Sequence, residues 1–317
     1  MDGAYDYTIS AQDFDPDIIF PGIVTLYKPF YRPNSHPYKK ASSKSKSSVA
    51  LPLWCMDPIM IKPARCGYSI TLKLCMAIFH GEKIPEDIGE TKEGFLELKN
   101  HLPRNDIPVN VSAVLRSRHE TVRHAKATSC MITQLCLHSE GISEGIILQA
   151  HGILTHRVDA ETTPWEEYSG VYRTGEVSAA LHPFPHHSLM PYKMKAMVCE
   201  LQSDLKETIA KGTVDPIAIA SEYTHIFVNI DPFVDGNGRM CRLVLNSILL
   251  QLGSFLACIG EKEEDRALYL EFASNGSALE DIYGDLEEDE RPIMHKELGS
   301  FIIPHVKKSM GKVMMLL

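Results

Sequence analysis

The stretch that decides the fold is residues 226–245, IFVNIDPFVDGNGRMCRLVL. It reads as the end of one apolar helix, a turn with two glycines, and the start of another apolar helix. The first N–H groups of a helix have no intrahelical acceptor, and the positive end of its dipole favours an anion beside them. Gly236 and Gly238 let the backbone approach a phosphate closely, and Asn237 suits a side chain that fixes the turn by hydrogen bonds. Arg239 and Arg242, three apart on the new helix, share one side and match phosphate oxygens bidentately. Asp235 offers a hard oxygen for Mg2+, which commonly binds through one carboxylate plus substrate phosphates. Phe233 is expected to anchor the turn in the core. The segment is therefore expected to cradle phosphate or another anionic ligand.

Two other phosphate or cation loops are excluded by residue identity. A calcium-binding EF-hand needs oxygen ligands where Phe233 stands and a glutamate where Arg242 stands. A Walker loop needs lysine then serine or threonine after its last glycine.

Working outward, helical patterning surrounds the turn. Residues 216–230 open at Asp215-Pro216, a capping residue and a first-turn proline, and are apolar on two sides through Ile217, Ala220 and Phe227 and through Ile219, Tyr223, Ile226 and Ile230. Such a helix belongs at the centre of a bundle. Residues 194–212 place Met194, Met197, Val198, Leu201, Leu205 and Ile209 on one stripe, and the helix after the turn runs from about Gly238 to Leu252. Further helices are expected over 69–81 (Ile70, Leu74, Ala77, Ile78), over 111–137 (Val111, Val114, Leu115, Val122, Cys130, Leu137) and after Ser143. Residues 157–190 break into Pro, Gly and β-formers, which suits a long loop or small hairpin. The fold class is all-α, with a β-hairpin flap as its one departure.

The divisions expected are a partly flexible arm at 1–50, a helical region at 51–140, a core at 141–280 and a helical extension at 281–317. The Lys- and Ser-rich 39–48 reads as a flexible loop, and the C-terminal SFIIPHVKKSMGKVMMLL as a packing or dimer helix in preference to a membrane-surface one. The formal charge of −9 argues against nucleic acid and anionic membrane as partners. An acidic start without an apolar signal core, and no apolar run of membrane-spanning length, imply an intracellular protein, cytoplasmic or nuclear. Eight cysteines without a CxxC pair imply reduced thiols.

DPFVDGNGRMCR at 231–242 resembles the signature of the Fic (Fido) family, HPFxDGNGRxxR, with every fixed position present except the first, where Asp231 replaces histidine. TPWEEYSGVYRTGEV (163–177), the 194–212 helix and THIFVNI (224–230) are similar to stretches of the fungal type of that family. The resemblance implies a Fic-fold helical bundle with an N-terminal extension that transfers AMP from ATP, with Mg2+, onto a protein hydroxyl. It implies that Asp235 binds Mg2+, that Gly236, Asn237 and Gly238 hold the α- and β-phosphates, and that Arg239 and Arg242 reach the β- and γ-phosphates. It also implies that a hairpin within about 171–190 positions a protein target. Many relatives carry an inhibitory helix whose glutamate pairs with the second arginine; aligned here, Lys62 stands at that position and the brake is absent.

Asp231 takes the place of the family's general base. With a reference pKa of about 3.9, an aspartate is expected to be ionised and a poor proton acceptor, and its charge opposes a neighbouring triphosphate. Three functions are compatible with this: a phosphate-binding protein deficient in standard AMP transfer, a nucleotidyltransferase with an altered base, or a repurposed fold using Asp231 as acid or base on a small molecule. His225, about 240° around its helix from Asp231, reads as a packing histidine, HPF at 182–184 as a coincidence within the flap, and the adjacent His186 and His187 as rings that point apart and hold no metal.

Overall fold

The computed structural model describes residues 66–105, 109–137, 141–179, 182–211, 215–253, 255–257 and 295–314, with isolated positions between 259 and 293. The arm at 1–50 and Lys62 lie outside the described residues.

The helices in chain order are α1 (Tyr68–Phe79), α2 (Glu93–His101), α3 (Val111–Ile132), α4 (Glu144–Thr155), the single-turn α5 (Trp165–Tyr168), α6 (Met190–Lys211), α7 (Pro216–Ile230), α8 (Asn237–Gly253) and α9 (Lys296–Met314). Polar caps set several starts. Asn110, Ser143 and Asp215 each accept a hydrogen bond from a first-turn backbone N–H of α3, α4 and α7. Between α5 and α6, β1 (Ser178–Ala179) pairs antiparallel with β2 (His182–Pro183), Ser178 opposite Pro183 and Ala179 opposite His182. This is the expected flap.

α7 is the central strut, packed against α6, α8 and α9. Its Ile217, Ala220, Tyr223 and Phe227 join the main apolar core with Met194, Met197, Val198 and Leu201 of α6 and Met240, Val244 and Ile248 of α8. Leu298, Ile302, Ile303 and Val306 of α9 are buried in the same core, so the C-terminal segment is a packing helix. A smaller core joins α1 and α2 to the first half of α3 through Ile70, Leu74, Phe95, Leu98, Val114 and Val122.

The elements depart from the periodicity in a few places. α2 escapes the sequence pattern because only Phe95 and Leu98 anchor it. α6 begins four residues before the expected start, with Pro191 tolerated in its first turn. Ile209, expected on the apolar stripe, is 63% exposed because it lies in the last turn, past the helix's last buried position, Leu205. Val111, at the first position of α3, is exposed as well. α3 buries polar residues in number because they meet the 85–87 loop: Arg118 donates to Pro85 O (3.0 Å), His119 bonds Glu86 O (3.1 Å), and Arg123 pairs with Glu86. Cys66, Cys75, Cys130, Cys199 and Cys241 are free thiols. Among the described residues no helix is long and apolar enough to cross a membrane.

Candidate functional site

α7 delivers the chain to Asp231, whose N–H donates to Phe227 O (3.2 Å) and whose backbone turns left-handed, at φ 46° and ψ 62°. Aspartate is one of the few residues other than glycine that enter this region, and the turn ends the helix sharply. The half-buried Asp231 carboxyl is pushed up to about 7 by desolvation, with the positive charge of Arg173 acting in the opposite direction. The expectation drawn from the reference value is thereby corrected. Burial withdraws the water that would stabilise the carboxylate, so Asp231 titrates where a histidine normally does.

The turn after it is held from within. Asn237 clamps Phe233 from both sides: its Oδ1 accepts from Phe233 N (2.9 Å) and its Nδ2 donates to Phe233 O (2.7 Å). Phe233 is fully buried, as expected, and stacks on His151 with centroids 3.7 Å apart and planes 5° apart. Gly236 adopts φ +87°, a conformation that strains any L side chain. α8 starts at Asn237, and its first intrahelical bond runs from Met240 N to Gly236 O (2.8 Å). The N–H groups of Asn237, Gly238 and Arg239 thus precede any helical acceptor.

Both arginines are 6% exposed. A Cβ on Gly238 would lie 3.7 Å from Arg242 Nη1, so the Arg242 guanidinium folds back over the start of its own helix. Arg239 donates from Nη2 to Asp235 Oδ2 (2.9 Å), while its Nη1 is buried with no hydrogen-bond partner among the described residues. Asp235 Oδ1 accepts from Gly236 N (2.6 Å). The predicted Mg2+ ligand and the predicted phosphate ligand are therefore paired with each other. Asp235 is a partly exposed carboxylate, a hard oxygen donor whose chemistry fits a divalent cation.

Three supporting side chains lie far from the turn in sequence. His151 of α4 accepts from Gly170 N through Nδ1 (3.0 Å), which leaves Nε2 to donate to Asp235 O (2.9 Å). Burial pushes its imidazole down to about 4, so it is a neutral strut. Arg173, 2% exposed, donates from Nε to Asp231 O (2.8 Å), from Nη1 to Gly175 O (3.0 Å) and from Nη2 to Pro185 O (2.5 Å), while its N–H reaches Pro232 O (2.9 Å). It ties the turn to both ends of the flap. His124 of α3 is driven well below the ordinary imidazole range by burial first, then by the charges of Arg242 and Arg239. Its Nε2 is buried without a hydrogen-bond partner among the described residues. No local pattern marks these residues, because each acts across a long sequence separation.

The remaining sequence candidates separate from the turn. His225 is buried on α7, where Asn229 Nδ2 lies 3.1 Å from its Nε2, so it belongs to the packing of that helix. His182 and Pro183 form β2 of the flap. His186 and His187 do not point apart: their ring centroids are 4.1 Å apart.

The Fic/DOC family model matches residues 141–249, from the approach to α4 into α8, a range that contains His151, Arg173, the flap and the whole turn. Among curated proteins the chain is similar to a Fido domain-containing protein of Dictyostelium discoideum, 36% identical over 84 residues, which are 26% of this chain and 56% of that protein. It is also similar to the protein adenylyltransferase Fic of Nematostella vectensis, 31% identical over 139 residues, 44% of this chain and 30% of that one. The matched regions thus span about half of one relative and under a third of the other. In fold it resembles a Fic domain containing signaling protein from Bacteroides thetaiotaomicron, with TM-score 0.60, 15% identity, and coverage of 94% of this chain and 97% of that one. It also resembles a fragment of Fic-1 from C. elegans, with TM-score 0.57, 19% identity, and coverage of 94% and 72%.

Proposed function

We propose, on the premise that this chain carries a Fic-family domain over residues 141–249, that it binds the phosphates of a nucleotide at the start of α8 and that Asp231 suppresses AMP transfer near neutral pH. The observation that carries the reading is the pair of buried guanidiniums, Arg239 beside Asp235 and Arg242 folded back over the start of α8, next to backbone N–H groups that have no helical acceptor. Burying such charges without an anion is costly, and a phosphate chain supplies both the charge and the acceptor oxygens. Gly236, Asn237 and Gly238 hold the turn that faces it. Asp235 would hold Mg2+, which when bound neutralises phosphate charge.

Asp231 sets the fate of the bound nucleotide. Its carboxyl already titrates at about 7, and a polyanion beside it favours the protonated form still more. With the phosphate chain bound, the carboxyl is mostly protonated near neutral pH and cannot take the proton of an attacking hydroxyl. The loss of a general base typically lowers rate on the order of 10²–10⁴-fold, while positioning of the phosphates is untouched. The β1–β2 hairpin, tied to Asp231 through Arg173, would present a protein target as an added strand.

A second reading rests on the same carboxyl. An acid near pKa 7 is poised to donate and recover a proton, so Asp231 suits acid/base chemistry on a small molecule. Labelled ATP separates the two. In the first, the wild-type chain binds ATP with Mg2+ and transfers little label, and Asp231→His raises self- or target-labelling by about tenfold or more. Failure of the intact chain to bind ATP, or efficient labelling by the wild type near neutral pH, overturns it.

A further inference from the structure

Away from the phosphate turn, the described residues gather one further set of metal-ligating side chains, Glu176, His186 and His187. Glu176 precedes β1 and the histidines follow β2, so the set closes the two ends of the flap. One ligand atom from each lies within 4.8 Å of the other two. The juxtaposition has a local cause. His186 caps the short helical turn His187–Leu189 with extended backbone at φ −55° and ψ 138°, and the change of backbone at that junction brings both rings to one side.

One separation within the set is that of neighbouring ligands of a single ion. His186 Nδ1 lies 2.8 Å from Ser188 Oγ, which leaves Nε2 as the nitrogen facing Glu176 Oε1, at 3.4 Å. That separation is long for an N–H···O hydrogen bond. Two ligands each about 2.0–2.1 Å from a tetrahedral ion are roughly 3.3–3.4 Å apart, so the spacing suits neighbouring ligands of one ion. The same Nδ1 accepts from Ser188 N (3.3 Å) as the cap of that turn, which fixes the ring with Nε2 toward Glu176. His187 adds a buried Nδ1 with no hydrogen-bond partner among the described residues.

We propose that Glu176, His186 and His187 bind a zinc-class divalent transition-metal ion that clasps the ends of the flap hairpin. Two imidazoles and a carboxylate select such ions over Mg2+ and Ca2+, which prefer oxygen alone. Three protein ligands leave a fourth position for water. The clasp bears on the candidate site through Arg173, which holds Pro185 O, next to His186, and Asp231 O with the same guanidinium. An ion there steadies the flap relative to Asp231, and its binding does not depend on nucleotide.

The test is calorimetric titration of Zn2+ into the full chain, stripped of metal by a chelator, near neutral pH. One saturable site is expected, with affinity lowered about tenfold or more by His186→Ala or His187→Ala. Glu176→Gln, on an exposed side chain, weakens binding without moving the melting temperature of the metal-free chain. This keeps the test valid if a histidine variant folds poorly. Zn2+ should slow amide exchange across 174–187 in the wild type and not in His186→Ala. Absence of a saturable site, or Zn2+ affinity indifferent to all three substitutions, overturns the proposal. So does a Co2+ spectrum with thiolate charge-transfer bands, which assigns the metal to cysteines such as the exposed Cys199.

Discussion

The turn at 231–238 and the flap at 174–187 lie at either end of Arg173, and they are built on opposite plans. In the turn the chain is tied to its own fold. Asn237 brackets Phe233, His151 fixes Asp235 O, and a stacked Phe233–His151 pair seals the underside. In the flap, two-residue strands meet, and the side chains at its base, Glu176 and His186, face solvent. The turn is held rigid by its own contacts, whereas the flap rests on a two-residue pairing and on the bonds of Arg173. On the proposed function, the difference means that the turn needs little rearrangement to take an anion and that the flap supplies the adaptable part of recognition.

The largest effect expected is on the turn's charge. Arg239→Ala should weaken ATP binding by about 100-fold, roughly 3 kcal/mol, by calorimetry, since it removes a desolvated, charge-assisted contact. A change under threefold would mean that the turn is no more specialised than the flap.

Next comes the strut beneath the turn. His151→Ala removes a ring stacked on Phe233 and bonds to Asp235 and Gly170, and should cost about 2–3 kcal/mol in denaturant unfolding. The sign of its pH effect comes from its depressed folded value. The fold favours the neutral ring, so this contribution is complete above the ordinary pKa of 6.5 and is lost as pH falls toward about 4. Wild type should therefore show an acid loss over that window that His151→Ala lacks.

Asp231 gives the opposite sign. Its folded value, about 7, lies above its ordinary 3.8, so its contribution is present below 3.8 and lost as pH rises through 7. Asp231→Asn should stabilise the chain at pH above about 7, on the order of 2 kcal/mol allowing for its partial exposure, and the gain should vanish near pH 4. A gain independent of pH would remove the buried-carboxyl account. The smallest effect belongs to the flap: Glu176→Gln should alter metal-free stability by less than about 0.5 kcal/mol, as for an exposed loop substitution.

Much of this architecture was readable from residue order. The two-sided apolar pattern of 216–230, the Asp215-Pro216 start and the glycine turn before Arg239 give α7, the turn and α8 as they stand, because those signals are local. What escaped depends on distance along the chain. His151 meets Asp235 across 84 residues and Arg173 meets Asp231 across 58, and neither carries a periodic signature. The reference pKa of aspartate misled for the same reason: Asp231 is set by burial, which only the assembled fold determines. The paired rings of His186 and His187 depend on one backbone junction that adjacency alone does not disclose.

The most direct measurement is the proton count of ATP binding, from calorimetry with Mg2+ near pH 7 in buffers of different ionisation enthalpy. The account predicts saturable binding with net uptake of a proton fraction that disappears in Asp231→Asn. Binding with no linked proton, or no binding by the intact chain, would contradict it.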